Sequence, residues 1–221
     1  VIPKPWSFTS LEDFINCPKA FYEKRIVKSV VEEASSAMLH GNYVHKRFEC
    51  HLRDGEVLGP ATDMHQPFME RLRDLPGQAF YEQKVAIGRD FNACTYFADN
   101  VWWRGVIDFK KVDGAHARIV DYKTGKKHEK FQQLKLFALH TFAAHPEVTQ
   151  ATVQFYWTQN QTTSTEVYTR EQIPMLWSWF VPHLKQYKLA FQNDIWQPRQ
   201  SGLCNGWCPV TSCQFWKPKR S

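Results

Sequence analysis

Apolar residues recur along this chain with two spacings, and each change of spacing marks a change of element. Ser7 to Val27 predicts a capped helix, with Thr9 or Ser10 as N-cap and Glu12 and Asp13 in the first turn. Pro18 interrupts it, because proline lacks an N–H and crowds the preceding turn, so a kink or two short helices are expected. A second helix covers Ala34 to Arg53, with Met38, Val44 and Phe48 toward the core. A Gly- and Pro-bearing loop runs from Asp54 to Thr62, and a short helix covers His65 to Leu75. Three strands follow, Ala79 to Ile87, Trp102 to Val112 and Ala117 to Tyr122. Asp113-Gly114 joins the last two as a hairpin turn. Leu134, Phe137 and Ala138 fall at helical spacing within Phe131 to Ala144. Ala151 to Trp157 and Ser164 to Tyr168 make a second strand pair. A final helix spans Gln172 to Asn193, with Pro174 tolerated in its first turn and Pro182 kinking it, and the chain is irregular from Trp196. There is no internal repeat. Helices, hairpin, helix, strand pair and helix in that order predict an α/β fold, a mixed central sheet flanked by helices.

Composition narrows the setting. The 221 residues suffice for one well-buried domain. No apolar run approaches the roughly 20 residues that span a bilayer, and no secretory signal opens the chain, so no membrane partner is expected. The expected compartment is cytoplasmic, where six cysteines read as ligands or core residues rather than disulfides. A net charge of +6 favours a polyanionic partner. Nine Trp, eight Tyr and sixteen Phe are abundant; many must be core, and exposed members could stack on unpaired bases.

The chemistry concentrates in two places. Asp108 ends the apolar run Gly-Val-Ile-Asp, and Asp121 ends Arg-Ile-Val-Asp, with Lys123 two positions on. A carboxylate joined directly to a buried strand is costly unless paired or metal-bound. Two carboxylates can hold a hard divalent cation, which polarises a phosphate and lowers the pKa of a bound water. Lys123 shares a strand face with Asp121, so its ammonium can orient that water or steady a charged transition state. The same residues also suit a surface hairpin with a solvated Asp–Lys pair. His45, one turn after Gly41, alone reads as an ordinary helical histidine and gains meaning only beside the carboxylates. Glu82 could add a further carboxylate, hydrogen-bond a metal ligand or be a solvated strand end, and Gln133 could reach a metal-bound water or a phosphate. Lys126, Lys127 and Lys130 form either a phosphate-contacting loop or a solvated turn. The second place is Cys204, Cys208 and Cys213, three thiols in a Gly- and Pro-bearing loop that can converge on a metal or cluster. Cys17, at the Pro18 break, is the best fourth ligand, and zinc is an alternative occupant.

Together these segments resemble the RecB-like branch of the PD-(D/E)XK nuclease superfamily along nearly the whole chain. Ser10-Leu-Glu-Asp-Phe-Ile-Asn-Cys-Pro-Lys-Ala-Phe-Tyr is similar to that branch's N-terminal signature. Gly41 to His45 matches Gly-x-x-x-His, and Gly105 to Asp108 matches Gly-x-x-Asp. Asp121-Tyr-Lys-Thr-Gly-Lys126 and Gln133-Leu-x-Leu-Phe match the remaining motifs, except that Phe137 stands where the family usually has Tyr. The resemblance implies a restriction-endonuclease-like core within one nuclease domain over 1–221: a helical segment 1–33, a core 34–195 and a cysteine clasp 196–221. It implies a DNA exonuclease acting at single-stranded ends. His45, Asp108, Asp121 and the Tyr122 carbonyl would ligate Mn2+ or Mg2+, with Lys123 positioning the water and Gln133 assisting. It also implies a structural [4Fe-4S] cluster on Cys17, Cys204, Cys208 and Cys213, as in the CRISPR-associated RecB-like and AddB-type nucleases, although the spacing of the last three departs from the usual. A structure-specific endonuclease, or a non-catalytic DNA-binding partner of a helicase or integrase, would share these motifs. Helicase, recombinase and CRISPR adaptation proteins are the partners that the resemblance suggests.

Overall fold

A sheet of strands β1 (Gln78–Gly88), β2 (Ala93–Cys94), β3 (Val101–Asp113), β4 (His116–Lys123), β5 (Gln150–Trp157) and β6 (Thr162–Thr169) organises the computed structural model, which describes residues 4–30, 35–128 and 130–219. The strand order is β2-β1-β3-β4-β5-β6. All neighbours are antiparallel except β4 and β5, which are parallel. A parallel pair needs a crossover, and a helix between those strands supplies it. The helices are α1 (Phe8–Asn16), α2 (Pro18–Phe21), α3 (Ser36–Asp54), α4 (Gln66–Arg73), α5 (Gln132–Ala144), α6 (Ile173–Ser178) and α7 (Phe180–Asn193). The result is the mixed, helix-flanked α/β sheet expected. Two compact units make up the chain, one of Ala34–Leu176 and one of Val1–Glu33 with Trp177–Ser221.

Both faces of the sheet are covered in the first unit. Val44, Phe48 and Leu52 of α3 join Phe68, Met69 and Leu72 of α4 over Phe109, Val120, Tyr122 and Tyr156. The Phe68 and Tyr156 rings stack with centroids 3.8 Å apart. Met38, expected in this core, is 51% exposed. It lies six positions before Val44, about 240° round the helix from the buried stripe at 3.6 residues per turn. The other face carries α5, whose Leu134, Leu136, Phe137, Ala138 and Leu139 are all buried, as befits a crossover helix without a polar face.

The β1–β3 pair does something that alternation does not predict. Trp103 and Gly105 face α5, since a Cβ on Gly105 would meet the Trp103 ring at 2.8 Å and Phe137 at 3.1 Å. Phe109, also at an odd position, faces α3 and α4 instead. The ladder therefore turns over between Gly105 and Phe109. Opposite that point Glu82 has φ 43°, a left-handed conformation rare outside glycine. The paired rungs Tyr81–Phe109 and Gln83–Ile107 flank it.

Helix boundaries differ from expectation for local reasons. Ser7 rather than Thr9 or Ser10 caps α1: the Ser10 N–H donates to Ser7 Oγ (3.2 Å) and the Ser7 N–H to Ser10 Oγ (2.8 Å). That moves Glu12 and Asp13 beyond the first turn, and Asp13 pairs with Arg25 (2.7 Å). The expected break at Pro18 is present. Cys17 is extended, Pro18 opens α2 where its missing N–H is harmless, and a π-helical turn follows over Tyr22–Val27. The second helix starts at Ser36 with Ser35 as cap, and Ala34 lies outside the described residues. The final helix breaks at Trp179 rather than kinking at Pro182. Restarting at Phe180 places Pro182 in a first turn, where no intrahelical bond is lost.

His140 on α5 is buried beside Lys110 and His145, and its Nδ1 has no hydrogen-bond partner. Burial, reinforced by those two neighbouring charges, pushes its pKa down to about 3. Below pH 6.5 the unfolded chain takes up a proton that the folded protein refuses. Stability should therefore fall with pH from about 6.5 toward 3, by up to about 1.4 kcal/mol per pH unit. A His140→Gln protein should show a flatter dependence of melting temperature on pH between 6.5 and 4. Parallel wild-type and variant curves would contradict this.

Candidate active site

The turned-over region of the sheet gathers the polar residues singled out in the sequence. On α3, His45 follows Gly41 by one turn, and a Cβ at Gly41 would lie 3.1 Å from Thr124 Oγ1, so glycine lets the helix approach the chain leaving β4. His45 Nε2 is 3.0 Å from the Tyr122 carbonyl oxygen. Its Nδ1 is 3.4 Å from Asp108 Oδ1 and 3.8 Å from Glu82 Oε1. The Tyr122 N–H donates to the other Asp108 oxygen at 2.7 Å. Ligand atoms of His45, Glu82 and Asp108 all lie within 4.8 Å of one another.

Asp121 completes the acidic side. It is 2% exposed, and its Oδ2 is 2.6 Å from Lys123 Nζ. The two lie on one face of β4 because strand side chains alternate. Lys123 Nζ also donates to Gln133 Oε1 (2.9 Å), and Gln133 is in the first turn of α5. One lysine thus joins the end of β4 to the start of the crossover helix. The Lys123 carbonyl accepts from Thr158 N (2.9 Å), which fixes the strand's exit.

The charges are strongly coupled. Burial pushes the Asp108 carboxyl up to about 6, and the nearby Asp121 charge adds to the push against the pull of His45. At His45 burial opposes the charged ring, but the surrounding carboxylates of Asp108, Glu82 and Asp121 outweigh it and raise the pKa to about 10. Glu82 Oε1 is buried without a hydrogen-bond partner. An orphaned carboxylate oxygen beside a buried aspartate is costly, and its left-handed backbone adds to the cost.

Of the residues expected to act, the structure brings together His45, Glu82, Asp108, Asp121, the Tyr122 carbonyl, Lys123 and Gln133. Lys126, Lys127 and Lys130 lie exposed on the stretch between β4 and α5. Thr124 was not singled out by sequence, since nothing local marks it as the residue against which Gly41 closes. A second acidic grouping, Cys50, Asp54 and Glu56, lies at the end of α3, but Arg53 pairs with Asp54 and Arg47 with Glu56.

The other unit carries the cysteine set. Cys17, Cys204, Cys208 and Cys213 are free thiols lining one cavity of about 240 Å³. Cys17 Sγ accepts from the backbone N–H of Ala20 (3.5 Å) and of Arg199 (3.4 Å). Burial pushes the Cys208 thiol up, as do the charges of Cys17, Cys204 and Cys213. Trp216 Nε1 donates to the Cys208 carbonyl (3.1 Å). Among the described residues, the triads with ligand atoms within 4.8 Å are the two above, so these sulfurs are spaced more widely.

A mixed sheet with buried Asp108 and Asp121 on adjacent strands, and Lys123 beside Asp121, is the frame of a phosphodiesterase of the restriction-endonuclease type. Residues 5–214 match the PD-(D/E)XK nuclease superfamily, and the chain belongs to it. The structure is similar to that of a candidate exonuclease from Eubacterium rectale, at a TM-score of 0.55 and 15% identity over 98% of this chain and 91% of that one. That likeness shows a shared fold. The structure of SSO0001 aligns over 95% of this chain and 86% of its own, at 13% identity and a TM-score of 0.42. No curated protein matches the chain. Nucleases of this superfamily use divalent metals, and His45, Glu82 and Asp108 form a carboxylate–histidine group that could hold one. Among the described residues no helix is long and apolar enough to cross a membrane.

Proposed function

We propose that the protein is a divalent-metal-dependent DNA exonuclease acting at single-stranded ends, with His45, Asp108, Asp121 and the Tyr122 carbonyl holding the cation and Glu82 as an added ligand. The observation that carries this reading is the convergence of His45, Glu82 and Asp108 within 4.8 Å, with a buried Glu82 oxygen that has no hydrogen-bond partner. Mn2+ or Mg2+ bound there would polarise the phosphate and supply a nucleophilic water at neutral pH.

The chain's own residues do the rest. Lys123, held between Asp121 and Gln133, presents a fixed ammonium where charge builds on the phosphoryl oxygens. Gln133 fixes that ammonium and can orient the attacking water. Water attacks phosphorus in line and loses a proton to solvent, the P–O bond to the leaving sugar oxygen breaks, and that oxygen takes up a proton from solvent. Lys126, Lys127 and Lys130 would contact the phosphates of the bound strand.

Cys17, Cys204, Cys208 and Cys213 are the proposed ligands of a structural [4Fe-4S] cluster. Their shared cavity and the N–H donors at Cys17 Sγ support it. Tetrahedral zinc, with Zn–S bonds of about 2.3 Å, needs sulfurs about 3.8 Å apart, closer than three of these come.

The test is degradation of end-labelled linear and circular single-stranded DNA with Mn2+, Mg2+ or EDTA, with Asp121→Ala as control. Metal-dependent loss of the linear substrate alone, absent in the variant, is expected. Cleavage of the circle would make it an endonuclease. Well-folded wild type inert with every metal would leave a non-catalytic DNA-binding module, the partner of a helicase, recombinase or CRISPR adaptation complex.

A further inference from the structure

The chain between β1 and β3 presents aromatic rings to solvent. Phe97 is 75% exposed and Phe91 54% exposed. The loop that holds them is tightly built. Gly88 N–H donates to the Asn92 carbonyl (2.8 Å), and Phe91 N–H to the Gly88 carbonyl (3.1 Å). The Asp90 carboxylate accepts from Asn92 N (3.2 Å) and Nδ2 (3.0 Å), and Ala93–Cys94 pair back onto β1. Phe91 has φ 65°, a conformation that bulky side chains rarely adopt. A strained backbone holding an apolar ring in water points to a function for the ring.

Cations are interleaved with these rings. The Arg104 guanidinium is 5.0 Å from the Tyr96 ring centre and 5.6 Å from that of Phe97, and Lys84 Nζ is 5.9 Å from Tyr96. Arg104 Nε is buried without a hydrogen-bond partner. Trp102 lies against Phe91, with ring centres 5.2 Å apart. Residues 84–104 carry three cations, Lys84, Arg89 and Arg104, and two carboxylates, Asp90 and Asp99, of which Asp90 is committed to Asn92. Rings alternating with cations suit a polymer that alternates flat bases with phosphates. A duplex keeps its bases stacked on each other, so only unpaired bases can use such rings. The strands continue from the loop to the acidic cluster: Arg104 precedes Asp108 by four positions on β3, about 13 Å. On β1, Lys84 lies two positions from Glu82.

We propose that the β1–β3 loop is a binding track for an unpaired nucleic-acid strand, with Phe91 and Phe97 stacking on bases and Lys84 and Arg104 contacting phosphates, leading to the carboxylates at Asp108 and Asp121. It rests on the nuclease reading and names the strand that the site receives.

The experiment is fluorescence anisotropy of labelled oligothymidine and of a blunt duplex in EDTA, where cleavage does not intervene. Phe97→Ala and Phe91→Ala should each bind oligothymidine about tenfold more weakly, with duplex affinity changed less than twofold. Phe97→Leu, which keeps an apolar side chain without the ring, should lose a similar factor and guards against misfolding. Arg104→Gln should lower the salt dependence of binding by about one phosphate's worth. Oligothymidine affinity unchanged in both phenylalanine variants would overturn the proposal and leave the rings as a surface for a protein partner. Failure of wild type to bind oligothymidine would overturn it equally. The nuclease reading fails separately, by absence of metal-dependent cleavage in wild type.

Discussion

An Asp121→Asn protein is expected to lose metal-dependent cleavage by about a thousandfold or more, while melting at or slightly above the wild-type temperature in EDTA. The two effects have one cause. Glu82, Asp108 and Asp121 place carboxylates around a single imidazole, and Asp108 is held up to about 6 by burial and by the Asp121 charge. Removing one negative charge relieves that repulsion. Lys123 loses an ion pair but keeps Gln133, and at 31% side-chain exposure it can lean toward water. The amide has nearly the carboxylate's shape, so no cavity opens. What disappears is a charge that a cation and the lysine both need. A fall in melting temperature like that of a core deletion, worth about 2–5 kcal/mol, would mean that Asp121 holds the fold rather than the chemistry.

Loss of one clasp thiol should have the opposite signature, a large structural effect. Beyond Asp194 the described chain has a single 3-10 turn, Gly202–Cys204, and an isolated bridge, Asn205 to Lys217, as regular structure. Its remaining backbone bonds are local, such as Trp216 N to the Cys213 carbonyl (2.9 Å). Thiols joined through the proposed cluster would tie such a segment to Cys17 and help offset the entropy of ordering it. Cys213→Ala should abolish brown colour and lower the melting temperature by about 10 °C, the effect of a few kcal/mol at 2–4 °C each in a protein of this size. Cys50→Ala and Cys94→Ala should keep the colour. Wild type purified without oxygen should contain iron and acid-labile sulfide. A stable colourless protein, or one carrying zinc alone, would remove the cluster.

The two examples show where the sequence was informative. Asp108 and Asp121 could be placed side by side because Asp113-Gly114 marks the hairpin, and Phe109 pairing with Val120 confirms the register. Cys17 could be matched to three distant thiols because Pro18 forces a break that turns its side chain out of a helix. Strand β2 escaped notice because two residues have no periodicity to read. The parallel pairing of β4 with β5 follows from where α5 packs, which no local pattern states. Glu82 was named from the sequence, but its backbone was not foreseen. Its carboxylate could be suspected, but glutamate has no preference for positive φ, so neither its backbone nor the turning over of the ladder could be foreseen. Such departures from local preference are expected where a site, rather than stability, sets the geometry.

The division of the chain into Ala34–Leu176 and the paired stretches Val1–Glu33 and Trp177–Ser221 also sets a timetable. The stretch with the acidic cluster is continuous and can collapse as soon as the ribosome has released it. The other unit is split, so its first half must wait, unfinished, until the last cysteine emerges. On the proposed reading the acidic cluster is assembled before the thiol set is, and during that interval Cys17 waits as a free thiol.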